Sequence, residues 1–414
     1  MINFDKFQLS NGLKVIHHKD GSSPVAAFNL LYDVGARDEN PNRTGFAHLF
    51  EHLMFGGSAN IPDFDLHLQK AGGQNNAFTS NDITNYYMTL PVSNIETAFW
   101  LESDRMNLLA FTDNSLEVQR NVVIEEFKQR YLNQPYGDVW LLMRPLCYKV
   151  HPYQWATIGK EIKHIEEATM EEVKSFFFKH YTPSNAILTV SGDIEFKELR
   201  SLAEKWFGPI ENRKKYFRNL PDEPKQDQKR ELWVERNVPS DMIFLAFHMD
   251  HRNGTNYQVT DLISDLLGRG KSSRFYKNLV KENAKFIELN AYIMGSIDNG
   301  LFVISGKPHK NVSLKEAYNL IWEEIEKVKA KVTDDRELQK LKNKIYSTTT
   351  FQEMSLLNKS MGLCFYELLG DAAEINNEIK KYDTIDHVKV KEVANSIFNE
   401  ENCNVLYYKS NQNA

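Results

Sequence analysis

His48, Glu51 and His52 fall in one five-residue window, His48-Leu49-Phe50-Glu51-His52, with two imidazoles four positions apart and a carboxylate between them. On a helix, residues four apart lie one above the other. Both ring nitrogens can then reach one metal ion, while the carboxylate reaches a water beside it. Chemistry of this kind is hydrolysis: the ion polarises a carbonyl and acidifies a water, and the carboxylate moves the proton. The plainer alternative is a solvated helix face that happens to carry these three residues. About 0.03 chance matches to H-x-x-E-H are expected in a chain of this size, which favours a zinc site. A catalytic zinc takes three protein ligands and leaves a fourth position open, so a further donor must come from elsewhere.

The surrounding residues predict the element that positions the pair. Phe46, Leu49, Phe50, Leu53 and Met54 recur with the period of an amphipathic helix, and the two histidines and Glu51 project from the side opposite that stripe. Asn42 or Thr44 is expected to cap its start, and Gly56-Gly57 to end it. A second helical pattern, Ser115 to Gln134, carries apolar Leu116, Val123, Phe127 and Tyr131 and offers Glu126 as the third ligand. Glu125 points about 100° away and is the weaker choice. Taken alone, any one such glutamate reads as a solvated helix carboxylate.

Ordered matches along the whole chain resemble the pitrilysin-type (M16, inverzincin) zinc metallopeptidases, which include the mitochondrial processing peptidases and insulin-degrading enzyme, in their half-length form. Leu9 to Val15 resembles the family's opening strand, Val34 to Glu39 precedes the histidine helix, and Met54 to Ser58 follows it. Gln119 to Glu126 resembles the segment E-R-x-V-V-x-x-E, which selects Glu126 as the third ligand. Pro183 to Ala186, Gly192-Asp193 and the run Gly268 to Arg274 match later segments. The resemblance implies one Zn2+ per chain, held by His48, His52 and Glu126, with Glu51 as the catalytic base. It also implies an α+β fold of two similar domains, each a mixed sheet with helices packed on it.

Two positions depart from the family pattern. Gln119 stands where the family usually has a glutamate behind the ligand; it still hydrogen-bonds but brings no charge. The Arg and Tyr that active relatives use to bind substrate align with Val280 and Ile287, neither of which donates a hydrogen bond. Long relatives carry zinc in one half and that pair in the other. The expected partner is therefore a related M16 subunit that supplies the Arg/Tyr pair in a heterodimer; a homodimer is the alternative.

Gly72 to Thr79 reads as a glycine-led turn running into a strand through Tyr86 to Leu90. In the family this strand is a sheet edge beside the zinc that pairs with the peptide. Asn76 is thereby expected to hold the peptide backbone, with Ala77 and Phe78 lining its path. As isolated residues these are ordinary turn and strand.

With 414 residues, 42% hydrophobic and 26% charged, the chain has the composition of a soluble globular protein of two or more domains. A net charge of −6 argues against nucleic acid as partner. Cys147, Cys364 and Cys403 are too few and too scattered for a disulfide framework or a thiolate metal site. No apolar run approaches the length of a membrane span, and the opening residues lack the apolar core of a signal peptide. A cytoplasmic location is expected, or a periplasmic or organellar one if a presequence has been removed. The polar, proline-bearing stretch around Pro221 and Pro224 sets the expected organisation: a zinc-bearing domain at 1–212, a linker at 213–231, and a domain of the same fold without metal at 232–414. A faint internal echo pairs Glu172-Val173, Asn185 and Ala186 to Val190 with Glu392-Val393, Asn402 and Cys403 to Tyr407. The expected function is a zinc endopeptidase acting on peptides in a chamber formed with the partner. Its rivals are a non-catalytic subunit that keeps zinc and a plain peptide-binding module.

Overall fold

The computed structural model describes residues 1–213, 216–330 and 334–411. Eleven strands form two sheets: β1 (Asp5–Gln8), β2 (Lys14–Lys19), β3 (Val25–Tyr32), β4 (Gln74–Thr79), β5 (Thr84–Pro91) and β6 (Ala186–Gly192) in the first, and β7 (Arg230–Arg236), β8 (Met242–Met249), β9 (Phe286–Met294), β10 (Gly300–Pro308) and β11 (Cys403–Ser410) in the second. The first sheet runs β1-β2-β6-β3-β5-β4 and the second β7-β11-β8-β10-β9. In each, one parallel pair, β2 with β6 or β7 with β11, is followed by antiparallel neighbours. Apart from β1 the two strand orders correspond one to one, so the expected α+β fold with two similar mixed sheets is what the chain adopts.

The chain forms two compact units. The first comprises Met1–Arg130, Trp155–Pro221 and Thr350–Asn377; the second comprises Tyr131–Gln154, Asp222–Thr349 and Glu378–Ala414. The main crossing falls between Pro221 and Asp222, and two shorter segments are exchanged. Lys214 and Lys215 of the expected linker lie outside the described residues. The exchange follows from burial. Every residue of β6 is buried, so both faces of the first sheet need cover, and one face receives the helix Leu356–Leu368. In the second unit the helix Val139–Cys147 packs Val139, Met143 and Cys147 against Phe244, Ala246, Val303 and Leu406.

Local expectations shift in three places. The opening segment Leu9 to Val15 is mostly the turn between β1 and β2, where Gly12 has φ 93°. The stretch from Gly72 to Leu90 is not one strand but the hairpin β4–β5, because Ser80 to Ile83 form a turn closed by Ser80 N–H to Ile83 O. The histidine helix α1 (Phe46–Phe55) is followed by α2 (Phe64–Lys70), α3 (Ile95–Asn107) and α4 (Asp113–Phe127). The second helical pattern thus stops seven residues early as an α-helix, and Lys128–Leu132 continues as a π-helical turn.

Candidate metal centre

The apolar stripe of α1 is buried as its periodicity requires, with Phe46, Ala47, Leu49, Phe50, Leu53 and Met54 inside. Its start is capped by neither Asn42 nor Thr44. Gly45 occupies the cap at φ 92° and has no side chain to offer the first turn. A distant carboxylate does that work: Glu39 accepts from the backbone N–H of Gly45 at 2.9 Å and of Ala47 at 2.8 Å, and from Trp155 Nε1 at 3.1 Å. Burial pushes the Glu39 carboxyl up to about 8 against these three donors. At its other end α1 stops at Gly56, as expected.

The exposed side of α1 meets α4. Glu126 Oε2 lies 3.6 Å from His48 Nε2 and 3.4 Å from His52 Nε2, and the two imidazole centroids are 4.8 Å apart at 80°. A tetrahedral ion with bonds of about 2.0–2.1 Å keeps its ligand atoms roughly 3.3–3.4 Å apart, so each nitrogen already stands from the Glu126 oxygen at about the spacing zinc needs, and all three atoms lie within 4.8 Å of one another. Among the described residues this is the only group of three His, Cys, Asp or Glu so arranged. Burial, outweighing the pull of Glu126, depresses His48 to about 4, which keeps the ring neutral and able to donate a lone pair near pH 7. Glu126 is held below the usual carboxylate range, first by His52. Its other oxygen, Oε1, forms an ion pair at 2.9 Å with Arg130 Nη1 of the π-helical turn.

Glu51 stands on the same side of α1 but outside this triad. Its Oε2 accepts from Thr79 Oγ1 at 2.6 Å, and burial raises its carboxyl above the usual range. Thr79 ends β4, the outermost strand of the first sheet, paired only with β5. Alternate residues of an edge strand turn their amides away from the neighbouring strand. Ala77 is one of these: its N–H donates at 2.8 Å to Asn76 Oδ1 of its own strand. By the period of two, Asn75, Ala77 and Thr79 share the face toward α1, while Gln74, Asn76 and Phe78 are exposed on the other. Phe78 is therefore on the strand but faces away from Glu51.

Gln119 lies at the far end of α1, where a Cβ built on Gly56 would stand 4.0 Å from its Nε2. Val280 packs on the core of the second unit, and Ile287 is exposed on its edge strand β9. Glu39, Thr79 and Arg130 are absent from the sequence-level site. Glu39 and Thr79 end the family-like segments Val34 to Glu39 and Gly72 to Thr79, and the sole signal for Arg130 is its i, i+4 spacing from Glu126.

Comparison with known proteins identifies the family. The family described as Insulinase (Peptidase family M16) matches residues 14–136, and Peptidase M16 inactive domain matches residues 167–345. Zinc protease PqqE of Helicobacter pylori is 30% identical over 340 residues, 81% of this chain and 76% of that protein. The chain belongs to peptidase family M16. Among solved M16 structures, a protease from Helicobacter pylori aligns with a TM-score of 0.93 at 26% identity, over 99% of this chain and 100% of that one. Pitrilysin shares the fold at a TM-score of 0.77 and 17% identity, but this chain spans only 45% of its length. No helix among the described residues is long and apolar enough to cross a membrane.

Proposed function

We propose that this M16 chain is a zinc endopeptidase in which His48, His52 and Glu126 hold the metal and Glu51 is the general base. The observation that carries the reading is the spacing of three ligand atoms from two helices, with a fourth carboxylate alongside and outside the set. Zinc bound there would supply a Lewis acid that acidifies a water and polarises the scissile carbonyl. Glu51, with Oε2 bonded to Thr79 Oγ1, takes the proton and returns it to the departing amine. Its raised affinity for protons suits a base that must hold one between the two steps. The peptide lies along β4 as an added strand, and Ala77 N–H exchanges the Asn76 side chain for a peptide carbonyl. Asn76, once released, is free to hold the peptide backbone. Backbone pairing accepts almost any sequence, which suits peptides and unfolded segments as substrates.

Val280 and Ile287 offer no hydrogen bond where active relatives carry Arg and Tyr, and the chain matches about half of pitrilysin. Both facts support pairing with a related subunit that brings these donors to a shared chamber. The same two residues favour a second reading, a subunit that keeps zinc with little turnover. Zinc content and cleavage of a quenched peptide library, for the chain alone and with a candidate partner, separate the two. Glu51→Gln is expected to retain zinc and lose at least about 100-fold in cleavage. Equal rates for wild type and Glu51→Gln would remove the peptidase reading.

A further inference from the structure

The edge strand and the base are fixed to one stretch of chain. Within residues 35–39, Glu39 anchors the start of α1, while Ala36 and Arg37 donate their N–H groups to the carbonyls of Ser80 at 3.1 Å and Asn81 at 2.9 Å. The turn after β4 is thereby clamped. Gly35 makes the approach possible, since a Cβ there would stand 2.4 Å from Asn81 O. Arg37, nearly fully buried, adds an ion pair to Asp82 at 3.2 Å. The distance between the last residue of β4 and the second turn of α1 is thus built into the fold.

Across that fixed gap Thr79 Oγ1 donates to Glu51 Oε2. A free glutamate side chain samples several rotamers, and an unaimed carboxylate is a poor base. The hydroxyl engages Oε2 directly. Resting on the metallopeptidase reading above, we propose that Thr79 is the positioning residue of the general base. Its hydroxyl holds Glu51 by Oε2, aims Oε1 at the attacking water, and ties that aim to the strand that receives the peptide.

The test uses the zinc-loaded full chain, with its partner if one is required, and the variants Thr79→Val and Thr79→Ser. Valine keeps the β-branched shape and removes the donor; serine keeps the donor. Thr79→Val is expected to lose about 10- to 100-fold in kcat, with KM within about two-fold and zinc content unchanged, and Thr79→Ser to recover to within about three-fold of wild type. A second readout needs neither zinc nor turnover: the 13C-carboxyl resonance of Glu51 in metal-free protein, assigned by its loss in Glu51→Gln. It should move in Thr79→Val and stay in Thr79→Ser. Wild-type kcat in Thr79→Val, a serine variant as slow as the valine one, or an unmoved resonance would overturn the proposal. If the wild type itself cleaves nothing, the peptidase reading fails, and the resonance still decides whether Thr79 holds Glu51.

Discussion

Glu126 divides its two oxygens between different tasks, Oε2 toward both imidazoles and Oε1 toward Arg130. The two contacts differ in weight because Arg130 is 69% exposed while Glu126 is 17% exposed. An exposed ion pair contributes about 0.2–1 kcal/mol and is screened by salt, whereas a metal ligand is not replaceable by water at equal strength. Arg130→Gln is therefore expected to weaken zinc binding by no more than about five-fold, an effect that fades at 1 M salt. Glu126→Gln should weaken it by well over about 100-fold at any ionic strength. Competition with a chromophoric chelator at two salt concentrations measures both, and equal losses in the two variants would contradict this division of labour. At this scale His48, Glu51 and His52 were legible because helix spacing fixes which side chains share a face, and Glu126 because the family resemblance selects it. Thr79 and Arg130 were not, since a hydroxyl on a strand carries no periodic signature and an i, i+4 spacing from Glu126 says only that an ion pair can form there.

Helix α1 is stabilised from outside itself. An Asn or Ser cap works within three residues, which is why Asn42 and Thr44 were the natural expectation, but Glu39 reaches the same amides from a separate 3-10 turn. Cap chemistry is readable from sequence only when it is local; a cap closed through tertiary packing is not. The same holds for the β4–β5 turn, whose clamp to Ala36 and Arg37 joins two segments that no pattern connects. Glu39 also gives the element a pH dependence. Its carboxyl has a folded value of about 8 against an ordinary 4.5, so the folded state binds the proton more tightly. Stability from this group is complete below about pH 4.5, declines through neutrality and is gone above about pH 8, a span of a few kcal/mol. Glu39→Gln does not titrate. Urea unfolding at pH 5, 6.5 and 8 should show wild type the more stable at pH 5, with its advantage shrinking steadily toward pH 8. A gap that widens with pH would mean that the three donors, not burial, govern Glu39.

The faint echo between Ala186 to Val190 and Cys403 to Tyr407 marks β6 and β11, the strands that carry the parallel pair in each sheet, but it does not fix the order of the strands around them. The exchange of segments was not legible either, because a buried helix from the far half of the chain has the same apolar stripe as one from the near half. That exchange decides whether the metal-bearing half can stand alone. The helix Leu356–Leu368 seats Leu363 and Cys364 on the first sheet, with Ser360 Oγ donating to Ser191 Oγ at 2.7 Å and Cys364 Sγ 3.1 Å from Thr189 Oγ1. A chain stopped after Pro221 would open this face of β2, β3 and β6 to water, leaving Asn29, Thr189 and Ser191 among uncovered apolar neighbours. Residues 1–221 alone are therefore expected to bind an apolar dye, unfold without cooperativity and bind zinc weakly. The same fragment with 350–377 appended through a flexible linker should regain a cooperative transition and its zinc site. Cooperative folding of 1–221 by itself would show that the exchanged helix is an ornament of the first unit and not part of its core.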